Sequence, residues 1–304
     1  MTTETLALRD RASVAALRRT DASVIVVDTI AGALAVPSLP ALRRRGKRVI
    51  ALALMKQGAL RLCRHADVVV TPSDALMSDL AALGIPAARI RVICPGREAL
   101  PVEAAAGNGK LRILCVANWS PAKGIHTLLE AASTIPDAVI DLVGDAPIDR
   151  YAERVRKIAA RAKLAKRVRI RGSLRGAALR RRYARATIFA LPSTRESYGM
   201  AVAEALGHGL PVVACDIPAT REVTNGAAML VAPGDAGGVR DALRDLADRH
   251  VGIALAHEEI AGRVQNGAAD GFAVAFLTFL DAHALPLNSV QHILSEHRSE
   301  YQRC

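Results

Sequence analysis

The segment LPSTRESYGMAVAEALGHGLPVVA, Leu191–Ala214, decides how this chain is read. Thr187–Ser193, "TIFALPS", leads into it as a short apolar run and ends in the polar turn Ser193-Thr194-Arg195, the pattern of a buried strand. After Gly199 the sequence turns to Ala, Leu and Glu until Gly207 and Gly209, residues that favour helix. Leu210–Ala214 is strand-like again. A strand, a tight turn, a helix and a second strand make a βαβ unit, whose two strands lie parallel in a sheet covered on its faces.

The turn is where chemistry can sit. A helix starting at Gly199 or Met200 offers unpaired backbone N–H groups and a partial positive charge, which suits a phosphate, and Gly199 lets the backbone come close to it. Glu196 falls on the loop, and Glu204 falls about one turn inside the helix, roughly 6–8 Å further on. Two acceptors so spaced can grip hydroxyls on either side of a diphosphate, the layout of a nucleotide-sugar. With twelve glutamates in the chain, the spacing by itself also fits two solvated carboxylates, so its meaning rests on the strand–turn–helix context.

Outward from this segment the same alternation continues. "LRILCVAN" (Leu111–Asn118), "AVIDLVG" (Ala138–Gly144), "RVRIRG" (Arg167–Gly172), "LPVVACD" (Leu210–Asp216) and "AAMLVAP" (Ala227–Pro233) complete one α/β unit, with a helix over Asp241–Arg249. Earlier, "SVIVV" (Ser23–Val27), "RVIALAL" (Arg48–Leu54), "DVVVT" (Asp67–Thr71) and "RVIC" (Arg91–Cys94) are four further strand candidates. Helices are predicted between them over Val36–Arg45, Lys56–His65 and Ser73–Leu83, the last opened by the capping hydroxyl of Ser73. The opening "LALRDRASVAALRR", Leu6–Arg19, reads as helical. Periodicity is lost over Cys94–Lys110, which marks a linker. The predicted organisation is a shortened N-terminal Rossmann-like unit over residues 1–100, a linker over 101–110, a nucleotide-sugar-binding unit over 111–250 and a helical tail over 251–304. The fold class is α/β, with two Rossmann-like domains facing across a cleft.

Composition narrows the partners. A chain of 304 residues that is 51% hydrophobic can build two cores. A net charge of +12 suits a phosphate-bearing ligand or an anionic surface. Only 3% aromatic residues leave few stacking platforms, so nucleic acid is not expected as a partner. The five scattered cysteines include no C-x-x-C pair, as in a reduced chain without structural zinc. The start lacks the apolar core of a signal peptide, and the longest apolar run, Gly271–Leu280, falls short of the roughly 20 residues that span a bilayer. The expected location is cytoplasmic.

Five motifs in order give the site a family. "VANWSPAKG" (Val116–Gly124), "LVGDAP" (Leu142–Pro147), "RVRIRGSL" (Arg167–Leu174), Ala190–Ala214 and "REV" with "GAAMLVAPGD" (Arg221–Asp235) resemble successive blocks of the group 1 (family 4) retaining nucleotide-sugar glycosyltransferases. That family has the GT-B fold and an E-x7-E signature, matched here by Glu196 and Glu204. The resemblance implies that Lys123 binds the donor diphosphate and that Glu196 contacts sugar hydroxyls beside the anomeric carbon, the two forming the catalytic pair. It implies that Glu204 holds the ribose hydroxyls, that the amides of Ser197, Tyr198, Gly199 and Met200 cradle the distal phosphate and sugar, and that Gly172 borders the base. It implies a nucleotide-diphosphate-sugar as co-substrate, no cofactor, no metal, and an acceptor that is a glycan, a small molecule or a lipid-linked sugar.

Three departures accompany the resemblance. Asn118 stands where the family has an arginine beside the diphosphate, and a neutral amide holds phosphate less strongly than a guanidinium. The N-terminal unit is short of a first βαβ element. The family's N-terminal histidine has no clear counterpart: His65 ends a predicted helix, where a cation meets the helix dipole, and Asp28, closing "SVIVVD", is the polar residue best placed on that unit's ligand edge. These features favour a second reading, a glycosyltransferase-like nucleotide binder or partner subunit with little activity.

One stretch is strongly basic. Arg150–Arg185 holds fifteen Lys and Arg against the single acid Glu153. Tyr151, Val155, Ile158 and Ala162 recur at helical spacing and turn the cations outward. Such a face suits a solvated helix, and it also suits peripheral contact with anionic lipid at the cytoplasmic membrane face.

Overall fold

The computed structural model describes residues 2–8, 11–95, 111–147, 149–248 and 289–295. The chain runs through β1 (Thr2–Leu8), α1 (Arg11–Arg19), β2 (Val24–Asp28), α2 (Gly32–Ala35), α3 (Leu39–Arg44), β3 (Arg48–Leu52), α4 (Ala59–His65), β4 (Val68–Thr71), α5 (Asp74–Ala82) and β5 (Ile90–Val92). There follow β6 (Arg112–Val116), α6 (Ile125–Ala132), β7 (Val139–Val143), α7 (Arg150–Ala159), β8 (Val168–Gly172), α8 (Gly176–Arg185), β9 (Ile188–Leu191), α9 (Met200–Gly207), β10 (Val212–Cys215), α10 (Pro218–Thr224), β11 (Met229–Val231) and α11 (Ala236–Asp248), and then β12 (Ser289–Ser295). The described residues fall into two units, the second holding β6 to α11 and the first holding β1 to β5 together with β12.

In the first unit six parallel strands take the order β1-β12-β2-β3-β4-β5. Alternate residues of β2 supply its two faces: Ile25 and Val27 pack with Leu17, Leu39, Leu62 and Leu80, while Val24 and Val26 pack with Ile50 and Val70. Ser73 caps α5 as its sequence predicts, its Oγ accepting from the Leu76 amide at 3.0 Å. Pro37 and Pro40 break the predicted helix over Val36–Arg45 into a 3-10 turn, Val36–Ser38, and the short α3.

Two expectations for this unit need correction. The opening stretch, read as helical, divides into the strand β1 and the helix α1. The tail, read as helical, contributes β12, which lies between β1 and β2 with Val290 opposite Val24. The N-terminal sheet therefore has two more strands than the four its sequence marks. The predicted linker over 101–110, residues 249–288 and Cys304 lie outside the described residues.

In the second unit the order is β8-β7-β6-β9-β10-β11, again all parallel. This is the doubly wound arrangement in which strand order reverses between the first and fourth strands, here β6 and β9. β9 and β10 are buried along their whole length, as their unbroken apolar sequence requires. The core packs Leu114, Leu128, Ile140, Val155, Phe189, Val202 and Leu206 around them.

Candidate active site

The loops after β6 and β9 meet at the point where the strand order reverses, because those strands are neighbours, with Ile113 opposite Ile188. Their meeting is tight. The Thr194 amide donates to the Ala122 carbonyl at 2.8 Å, and Gly124, with φ of +65°, lies so close that a Cβ there would stand 2.0 Å from the Pro192 carbonyl oxygen. Only glycine fits both the torsion and the space. Ser193 is fully buried beside this junction, and among the described residues its Oγ has no hydrogen-bond partner.

This junction brings Lys123 and Glu196 together. Lys123 closes a 3-10 turn, Pro121–Lys123. Its Nζ donates to both Glu196 carboxylate oxygens, at 2.8 and 2.9 Å. The Glu196 side chain is only 9% exposed and that of Lys123 27% exposed, so the pair is largely withdrawn from water.

Beyond Glu196 the chain passes half-buried Ser197 and Tyr198 to Gly199, whose φ of +103° sets the start of α9. No side chain caps this helix, which leaves first-turn amides, that of half-buried Met200 among them, to be met by something else. Glu204 lies on α9 and accepts a hydrogen bond from Tyr183 Oη at 2.8 Å. Burial pushes the Glu204 carboxyl above its ordinary pKa, and the Tyr183 hydroxyl pulls it partly back. Tyr183 is itself 1% exposed, stacked on His208 at 4.8 Å and 10° and on Phe189 at 6.0 Å. Sequence reading misses Tyr183, although its place one helical turn after Leu179 in an arginine-rich helix marks it as an inward residue.

The other predicted residues of the second unit lie further along the same sheet edge. Asn118 is exposed, and its Oδ1 accepts from the Asp145 amide at 3.3 Å, so its side chain ties the loop after β6 to the one after β7. Gly144 completes that link: with φ of +135°, a Cβ there would lie 1.9 Å from the Ala117 carbonyl oxygen. Gly172 ends β8, accepting from the Gly144 amide at 2.9 Å, and has open space where a Cβ would point. In the first unit, Asp28 is 4% exposed and its carboxylate accepts from the Ala31 amide at 2.8 Å, which anchors the turn after β2. His65 is the last residue of α4, and that helix end is its setting.

Among the described residues no three His, Cys, Asp or Glu gather as a metal would need, and no helix is long and apolar enough to cross a membrane. Chemically, the edge assembles one lysine, two carboxylates and an uncapped helix N-terminus. It can receive an anion and grip hydroxyls on both sides of it.

Residues 110–249 match the model of the glycosyl transferases group 1, and residues 6–96 match a glycosyl transferase 4-like domain. The sulfoquinovosyl transferase SQD2 of Arabidopsis thaliana is 31% identical over 167 residues, a match spanning 50% of this chain and 31% of that protein. Among solved structures, HepE of Anabaena in complex with UDP and glucose superposes with a TM-score of 0.75 at 20% identity, covering 91% of this chain and 81% of that one. Sucrose-phosphate synthase from Thermosynechococcus elongatus gives a TM-score of 0.71 at 20% identity, covering 89% and 75%. The two family matches together take in most of the described residues: the second unit carries a glycosyl transferases group 1 domain and the first a glycosyl transferase 4-like domain, in the GT-B fold.

Proposed function

We propose that this protein transfers a sugar from a nucleoside diphosphate sugar to an acceptor hydroxyl with retention of anomeric configuration. The observation that carries the reading is the Lys123–Glu196 pair at the reversal point of the second sheet. Lys123 leaves Glu196 for the diphosphate, and Glu196 turns to the sugar hydroxyls. The first-turn amides of α9 meet the distal phosphate, and Glu204 holds the ribose hydroxyls. The bond between the anomeric carbon and the phosphate oxygen breaks as the acceptor oxygen bonds the same face, and the acceptor proton passes to the departing phosphate. Lys123 and the helix dipole offset the charge that develops there, a role that asks for no metal. UDP is the first nucleotide to try, since HepE was solved with UDP and with UDP-glucose.

A second reading, nucleotide binding without transfer, is favoured by Asn118, whose amide is committed to the Asp145 backbone where a cation would serve the diphosphate. Turnover separates the two. The protein is incubated with UDP-glucose, UDP release is followed, and the anomer of the freed sugar is read early by NMR. Retention predicts α-glucose first and a loss of release in Glu196→Gln. Release of β-glucose contradicts retention, and UDP binding without release establishes the second reading.

A further inference from the structure

The cations of Arg150–Arg185 gather at one border of the second sheet. β8 is the edge strand; α7 before it packs on α6, and α8 after it packs over β6. Helix, edge strand and helix carry ten of the fifteen Lys and Arg of this stretch, and the segments joining them carry Arg161, Lys163, Lys166, Arg167 and Arg175. Tyr151, Val155 and Ile158 turn inward as their spacing predicts, whereas Ala162 is exposed because α7 stops at Ala159. Lys157, Arg161, Lys163, Lys166, Arg169 and Arg181 all face solvent. Some charge is neutralised from outside the stretch: Asp141 takes Arg171 at 2.8 Å and Arg182 at 3.8 Å, and Glu130 meets Arg154 at 3.8 Å. Two carboxylates leave a large surplus.

Two ordinary explanations fall short. One or two charged residues suffice to stop an edge strand pairing with another chain, and this edge has many more. A solvated cationic edge needs no exposed apolar residue, yet Ile170, between Arg169 and Arg171 in sequence, is 46% exposed. The aromatic residues of this region, Trp119, Tyr151 and Tyr183, are 3%, 8% and 1% exposed, so no ring stands out to stack on a base. An edge rich in cations that also exposes an aliphatic side chain matches an anionic interface, where arginine stems lie along the apolar boundary and their heads meet phosphates.

We infer that the β8 border of the second unit, with Ile170 exposed on its edge strand, is a docking surface for an anionic lipid bilayer. The test floats the full chain with vesicles of phosphatidylcholine alone and of phosphatidylcholine containing about one-third phosphatidylglycerol, a composition that gives the strong negative surface potential required. The chain is expected to float with the anionic vesicles, to stay behind with the neutral ones and to be released by high salt. Reversing Lys157, Arg161, Lys166 and Arg169 to Glu lowers the partition at least about a hundredfold, while Ile170→Ser lowers it about tenfold. Equal thermal unfolding of wild type and variants establishes that these losses are local. Equal binding to both vesicle types, or none to either, overturns the inference. So does salt-sensitive binding of duplex DNA without vesicle binding, which would assign the surface to nucleic acid.

Discussion

Lys123 Nζ bonds both carboxylate oxygens of Glu196, at 2.8 and 2.9 Å, across 73 residues of sequence. The two groups that a donor would use hold each other in its place. The contact follows from topology, since Lys123 and Glu196 stand on loops leaving the two strands between which the sheet order reverses. On the proposed reading, a donor diphosphate competes for the lysine while sugar hydroxyls satisfy the carboxylate, so ligand binding would exchange one set of charge-assisted hydrogen bonds for another.

Removing one partner leaves a mostly buried charge uncompensated. A double-mutant cycle of Lys123→Met and Glu196→Gln is expected to give a coupling of about 1–2 kcal/mol in urea unfolding. Lys123→Met also weakens UDP binding at least about tenfold, through loss of the cation at the diphosphate. Additive single mutants would show that the pair does not hold the loops.

The glycines of the junction separate strain from crowding. Gly124→Ala and Gly144→Ala push a Cβ against the carbonyls of Pro192 and Ala117. Each is expected to cost about 3 kcal/mol or more. Gly172→Ala meets the left-handed torsion alone, with open space around its Cβ, and costs only about 1 kcal/mol. Equal losses at the three positions in thermal unfolding would contradict the close approach of the two loops.

Burial of the Glu204 carboxyl works against stability at neutral pH. Its folded pKa is raised by burial, so the native state favours the protonated carboxyl, and native stability falls as pH rises from the unfolded value of about 4.5 through the folded one. Glu204→Gln removes that penalty and keeps an acceptor for Tyr183. It is expected to unfold at higher temperature than wild type at neutral pH while binding UDP more weakly. A lower melting temperature at neutral pH would contradict the account.

Tyr183→Phe keeps the stacking on His208 and Phe189 and removes the hydroxyl that lowers the Glu204 pKa. A cost of about 1 kcal/mol is expected from the lost hydrogen bond. On the proposed reading, UDP affinity measured against pH should begin to fall at a higher pH than in wild type, because the Glu204 carboxylate takes up its proton sooner. An unchanged profile would assign Tyr183 to packing alone.

The second unit was legible because each strand is a short apolar run, and each candidate site residue stands at a fixed place in a motif next to such a run. The pairing of Lys123 with Glu196 was not, since nothing local states which strands become neighbours. Tyr183 was hidden because an aromatic residue among five nearby arginines reads as surface until Leu179 is placed one turn before it. β1 and β12 escaped for a different reason: "TTETLAL" and "SVQHILS" carry weak strand preference, and they become strands by pairing with each other and with β2. Ala162 kept the helical spacing of Tyr151 and Val155 past the end of α7, so its pattern outran the helix.

The central claim is a donor site built on the second unit, and calorimetry of UDP, GDP and ADP with the wild-type chain and Glu204→Ala tests it most directly. Saturable binding of one nucleotide, lost in the variant although it stays folded, is the predicted result. Absence of binding by all three to a folded wild-type chain, or equal binding by Glu204→Ala, would contradict it.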